Sequence, residues 1–157
     1  MTICSPVMGV TYDYFTASSD ADAAAVLDLV GGPSQNAPSG ILAIPSRIDP
    51  VVALGQLESL LIRGNTDLDF KRERFGKTLA QLDDGAVTVV TVPDELQQAL
   101  AVASEDRIDE VAESWSEIEE FGGVVDPTDL AQFLDDLADM ARTANRTGQL
   151  LYCWTCL

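Results

Sequence analysis

The chain has no histidine among its 157 residues. That absence removes the usual general base near neutral pH, the Ser-His-Asp and Cys-His nucleophile systems, and the commonest nitrogen ligand of zinc. Positive charge is scarce as well: 9 Lys and Arg stand against 26 Asp and Glu, a formal net charge of −17. Long-range repulsion opposes binding to nucleic-acid phosphates or an anionic membrane, so neither partner is expected, and a basic protein is the natural complement. No apolar run approaches the length of a membrane span. The opening MTICSPVMGV carries no basic n-region and no long apolar stretch, which predicts no secretory signal and a soluble cytoplasmic protein. The cysteines are only three, Cys4, Cys153 and Cys156, an odd number that makes no disulfide framework. Phosphate-cradling loops are missing too, since GVTYDYF, GGPSQNAPSG and FGGVVD match neither a P-loop nor GxGxxG. No motif calls for a cofactor.

What is present suffices for a core: 46% of residues are hydrophobic and only 22% charged, whereas disorder needs low hydrophobicity together with high net charge. The length fits a single domain over residues 1–157, with 1–8 a candidate disordered leader and Met8 a second candidate start. VTYDYF, residues 10–15, alternates as a strand with Val10, Tyr12 and Tyr14 on one side. A helix follows, capped by Ser18 or Ser19 and buried through Ala23, Val26, Leu27 and Val30, and GGPSQNAPSG reads as a loop. After a short apolar run at Ile41–Ile44, Asp49 and Pro50 open a helix that Gly64 stops. Residues 65–84 lack sustained periodicity and hold KRERFGK, with Lys71, Arg72, Arg74 and Lys77, which reads as a charged surface loop. AVTVVTV, residues 86–92, is a central strand.

The remainder is mainly helical. Thr91 caps a helix burying Leu96, Ala99, Leu100 and Ala103. Ser104 caps the next, in which Ile108, Val111, Ala112, Trp115 and Ile118 keep helical spacing. Asp126 and Pro127 open the last, with Leu130, Phe133, Leu134, Leu137, Ala141 and Ala144 on one stripe up to Gly148. Residues 149–157 return as a strand. Helices and strands without βαβ alternation predict an α+β fold: a small mixed sheet of three to four strands packed with four to five helices.

The tail LLYCWTCL contains a C-x-x-C. A thioredoxin-type thiolate needs the N-terminus of a helix, and one residue follows Cys156. In a strand, positions i and i+3 point to opposite faces, so the pair cannot share a zinc ion. Both thiols are therefore expected to be packing, with Tyr152 and Trp154 on one face.

Acid is concentrated late in the chain. From Asp94 to Arg146 there are 15 acidic and 3 basic residues, a net of 3 − 15 = −12. Asp106, Asp109, Glu110, Glu113, Glu117 and Glu120 are expected on the face opposite Trp115, and Asp135, Asp136 and Asp139 likewise on the last helix. Two readings stand: a solvated exterior, and a docking face for a basic partner whose encounter the charge steers. Pairs such as Glu113 with Glu117 or Asp135 with Asp139 share a helical face at i, i+4, but no D-x-D-x-D-G loop frames them as a metal site. Tyr12, Asp13, Tyr14 and Arg47 are a further candidate pocket lining.

MGVTYDYFTASSDADAAAVLDL from Met8, the helical VTVPDELQQALAVASEDRIDEVAESW, and the ending LAQFLDDLADMARTANRTGQLLYCW resemble, in order and pattern, the YfbM-like family of bacterial proteins of unknown function. Residues 31–85 depart from that pattern. The resemblance implies an α+β single domain and assigns no catalytic residue. The acidic, alanine-rich, lysine-poor composition is similar to that of high-GC actinobacterial proteins. The function expected is non-enzymatic: an acidic binding protein, in its most concrete form an immunity or inhibitor protein that neutralises a basic toxin or nucleic-acid enzyme. The alternative is a small carboxylate-based hydrolase or ligand-binding domain.

Overall fold

The computed structural model describes residues 10–36, 38, 40–62 and 74–157. The candidate leader, the expected stop at Gly64, and Lys71 and Arg72 lie outside the described residues. The fold is α+β. Strands β1 (Thr11–Ala17), β2 (Ala43–Ser46), β3 (Thr78–Leu82), β4 (Val87–Thr91) and β5 (Leu150–Cys156) form one sheet in the order β2-β1-β5-β4-β3. Every neighbouring pair is antiparallel, so the sheet is larger than the three to four strands expected and is not mixed. The strand missed is β3. It is an edge strand with no fully buried residue and a register shift between Thr78 and Ala80, which together erase the period-two signal. Pro45 lies inside β2, where an edge position leaves no ladder bond to interrupt.

The described residues contain six α-helices, against four to five expected: α1 (Asp20–Ala24), α2 (Pro33–Asn36), α3 (Val52–Leu61), α4 (Asp94–Val102), α5 (Glu105–Trp115) and α6 (Pro127–Thr147). Ser19 caps α1 as expected, accepting from Asp22 N–H. The helix ends at Ala24 rather than near Val30, and the carbonyl of Leu27 accepts from the indole Nε1–H of Trp154 at 3.0 Å instead. The segment expected as a loop then forms α2 behind Gly31 and Gly32, both at positive φ. Helix α3 begins two residues later than the expected Asp49-Pro50 start, with Val51 at its N-cap, and Asp49 Oδ2 accepts from the backbone N–H groups of Val51, Val52 and Ala53 at that start.

The sheet is covered on both faces. On one, Tyr14, Val90, Leu151 and Cys153 pack against α3–α6. Trp115 is fully buried there, its Nε1–H donating to Ala53 O at 2.9 Å, with Phe121 edge-on at 5.3 Å. On the other face, Phe15, Val89, Tyr152 and Trp154 pack under the α1–α2 segment. Thr91 stays in β4 rather than capping α4: its hydroxyl accepts from Lys77 N–H and donates to Arg74 O. On α4 the buried positions are Leu96, Gln97 and Leu100, while Ala99 and Ala103 are only half-buried. Gln97 is accommodated because its amide accepts from Leu151 N–H and donates to Asn145 Oδ1 and Gln149 O, tying α4 to α6 and β5.

The C-terminal strand β5 sits centrally, between β1 and β4. Cys153 faces the helical layer and Cys156 the opposite one, as strand alternation requires. Cys153 is a buried free thiol whose ionisation burial pushes well up, with Thr155 opposing weakly. Cys156 is disulfide-bonded, which corrects the expectation that both tail thiols are mere packing. Cys4, the third cysteine, lies outside the described residues.

Candidate functional site

Two adjacent helices set up the acidic face. Ser104 caps α5 by accepting from Arg107 N–H at 3.2 Å, and Ile108, Val111, Ala112 and Trp115 turn inward. Asp126 caps α6 through Thr128 N–H at 2.8 Å, with Pro127 in the first turn. Leu130, Leu134, Leu137, Ala141 and Ala144 bury that helix, and Gly148 ends it in the left-handed conformation. With the apolar stripes committed to the core, the flanking carboxylates of the two helices meet along the seam between them.

Glu105, Asp135, Asp136, Asp139 and Arg142 line a cleft of about 270 Å³, with Ile108 in its wall. Beyond it, Asp109 and Glu113 face Thr128 and Ala131 across a shallow depression of about 380 Å³. The Asp135 carboxyl is held above the ordinary carboxylate range, first by burial and then by Asp109, Glu105, Asp139 and Asp136. Relief within the groove is small. Arg142 donates to Asp139 as an i, i+3 pair, and Gln132 Nε2 donates to Asp136 Oδ1 at 3.2 Å.

Of the residues expected in a docking face, Asp135, Asp136 and Asp139 line the cleft, and Asp109 and Glu113 line the separate depression. Asp106, Glu110 and Glu117 are exposed but line neither depression. Glu110 accepts from Arg107 Nη1 at 2.9 Å, while Arg107 Nη2 donates to Leu60 O, so this pair leans toward α3. Glu105 joins the groove without having been singled out; its place one turn before Asp109 was the available signal. Among the described residues, no group of three Asp, Glu or Cys side chains is placed to hold a metal ion together.

A second polar centre departs from expectation. Arg74, read as a surface-loop cation, is only 20% exposed and forms the hub of an ion cluster. Its Nη1 donates to both carboxylate oxygens of Asp20, at 3.0 and 3.1 Å, and its Nε donates to Asp94 Oδ1 at 3.0 Å. The guanidinium lies 5.7 Å from the Tyr152 ring centroid, and Tyr152 OH donates to Asp20 Oδ1 at 2.8 Å. Burial pushes Asp20 up, but the bonds from Tyr152 and Arg74 outweigh it and hold the carboxyl below its ordinary range. Burial and the bond to Asp20 push Tyr152 up to about 12. The cluster joins the starts of α1 and α4 to the central strand.

Tyr12, Asp13, Tyr14 and Arg47 do not line a common pocket. Tyr14 faces the helical layer and donates to Ile48 O; Arg47 is exposed. Asp13 turns to the other face, fully buried, where Oδ2 accepts from Ser34 N–H at 3.0 Å and Oδ1 has no hydrogen-bond partner. Gly32 makes room for it, since a Cβ there would lie 2.4 Å from Asp13 Oδ2 and 2.6 Å from the Trp154 ring.

Among the described residues, no helix is long and apolar enough to cross a membrane. A disulfide at Cys156 is a bond that reducing compartments disfavour. Compared with family models, with curated proteins and with solved structures, the chain finds no match.

Proposed function

We propose that this chain is a non-enzymatic binding protein that captures a basic protein through the groove between α5 and α6. One observation carries the reading: Glu105, Asp135, Asp136 and Asp139 line one cleft with Arg142 as their nearby counter-charge, and Asp109 lies close enough to act on Asp135, whose proton affinity is raised first by burial and then by these neighbouring acids. Crowded carboxylates oppose folding, and a cationic partner relieves them. The same field steers encounter. An inhibitor or immunity role against a basic toxin or nucleic-acid enzyme is the most concrete form of this reading, and kinship with the YfbM-like family is proposed beside it without adding an activity.

The test starts with co-purification at low salt from cells that make the protein, followed by association kinetics with the partner recovered. Asp109→Lys/Asp135→Lys/Asp139→Lys is expected to slow association at least about tenfold, with the wild-type rate falling steeply as salt rises. Unfolding free energy should stay level or increase. A partner whose association ignores both salt and the reversal would exclude the groove.

A further inference from the structure

Asp136 and Asp139 line two depressions at once. On the α5 side is the acidic cleft; on the other, the same two carboxylates border a pocket of about 250 Å³ formed by Leu42, Ala43 and Ile44 with Met140 and Thr143. This second pocket lies where α6 crosses the edge strand β2. Its lining is mainly apolar, and Leu42 is 45% exposed, one of the few large apolar side chains left open to solvent among the described residues. The acids thus form a ridge between a charged trough and an apolar one.

We infer that the basic partner presents a segment in which cationic residues flank an apolar side chain, the cations straddling the ridge of Asp136 and Asp139 and the apolar group entering the pocket between β2 and α6. Complementarity argues for this occupant. A purely cationic chain leaves Leu42 and Ile44 uncovered, and a purely apolar one must bring its polar backbone beside Asp136 and Asp139 without compensating charge. Pro45 lacks the N–H needed for continuous strand addition at the β2 edge, so side-chain insertion, not sheet extension, is the mode that fits. The inference rests on the capture of a basic partner proposed above and adds the apolar anchor.

The probes are two short synthetic lysine-rich peptides of equal charge, one with a central leucine pair and one with serines in its place. Both are titrated onto the full chain by fluorescence anisotropy at low and high salt. The leucine peptide is expected to bind roughly tenfold more tightly than its twin, an advantage of the size that burying one such side chain confers. Leu42→Ser, at a position already half open, should abolish the advantage while leaving charge-driven binding intact. Asp136→Asn/Asp139→Asn should weaken both peptides alike. Equal binding of the two peptides to the wild type overturns the apolar anchor and leaves the acidic reading standing. Absence of salt-sensitive binding by either peptide overturns both. Circular dichroism of Leu42→Ser confirms that the comparison is made on folded protein.

Discussion

The groove between α5 and α6 and the cluster around Arg74 treat charge in opposite ways. Around Arg74, one guanidinium is shared by Asp20 and Asp94 and backed by Tyr152, so each charged group has a partner and the cluster fastens three segments. In the groove, Glu105, Asp109, Asp135, Asp136 and Asp139 outnumber Arg142, and the excess opposes the fold that carries it. Internal pairing marks structure. Excess charge of one sign on the surface is the feature on which the proposed capture of a basic partner rests.

Replacing Arg74 should give the largest contrast. Arg74→Ala leaves Asp20, Asp94 and Tyr152 without their cation; breaking a buried pair costs about 3–5 kcal/mol, and partial exposure reduces the expected loss to about 2 kcal/mol in urea unfolding. No loss would mean that the cluster is as dispensable as a surface pair.

The pH dependence of the two sites should have opposite sign. The folded chain holds Asp20 below its ordinary value of 3.8, so its stabilisation is complete above that value and disappears as pH falls through the lowered one. Asp135 is held above 3.8, so its penalty is complete at neutral pH, recedes as pH falls through the raised value, and is gone below 3.8. Asp20→Asn should therefore destabilise at neutral pH and Asp135→Asn should stabilise. Both differences should shrink toward about pH 3 when unfolding is followed across the range. Parallel behaviour of the two variants would erase the distinction.

The smaller effects are a matter of salt. Asp135→Asn is expected to add up to about 0.5 kcal/mol at low ionic strength, and near 1 M salt, where the Debye length is about 3 Å, to keep only the part that comes from burial. Arg142→Ala removes the ion pair with Asp139. It should lower stability by only a few tenths of a kcal/mol while tightening the lysine peptides, a change that anisotropy would detect.

The helical layer was readable in the sequence because each of its signals is local. Ser104 and Asp126 cap where expected, and the stripes of α5 and α6 are buried except at Phe133 and at Ile118, which lies past the end of α5; both are half-buried. Strand β5 was also legible, down to the separation of Cys153 from Cys156. The β3–β4 hairpin was not, although Asp84-Gly85 marked its turn: Asp83 and Asp84 adopt φ of 52° and 56° and Gly85 93°, a run that only Gly, Asn or Asp tolerates readily. Arg74 could not be found at all. Its partners come from positions 54 and 20 residues away, and each reads locally as an acid favouring a helix start. On the acidic face, the spacing located the carboxylates, but only the packing of α5 against α6 separates groove residues from Asp106, Glu110 and Glu117, which line neither depression.

Because β5 lies between β1 and β4, the β2-β1 and β4-β3 ribbons have no contact through the sheet until the last strand in sequence order joins them. Two-stranded ribbons are marginal by themselves, and the join between them is made through contacts between distant parts of the sequence. The consequence is that shortening the chain before Leu150 should cost the whole sheet its cooperativity rather than trim one strand from it.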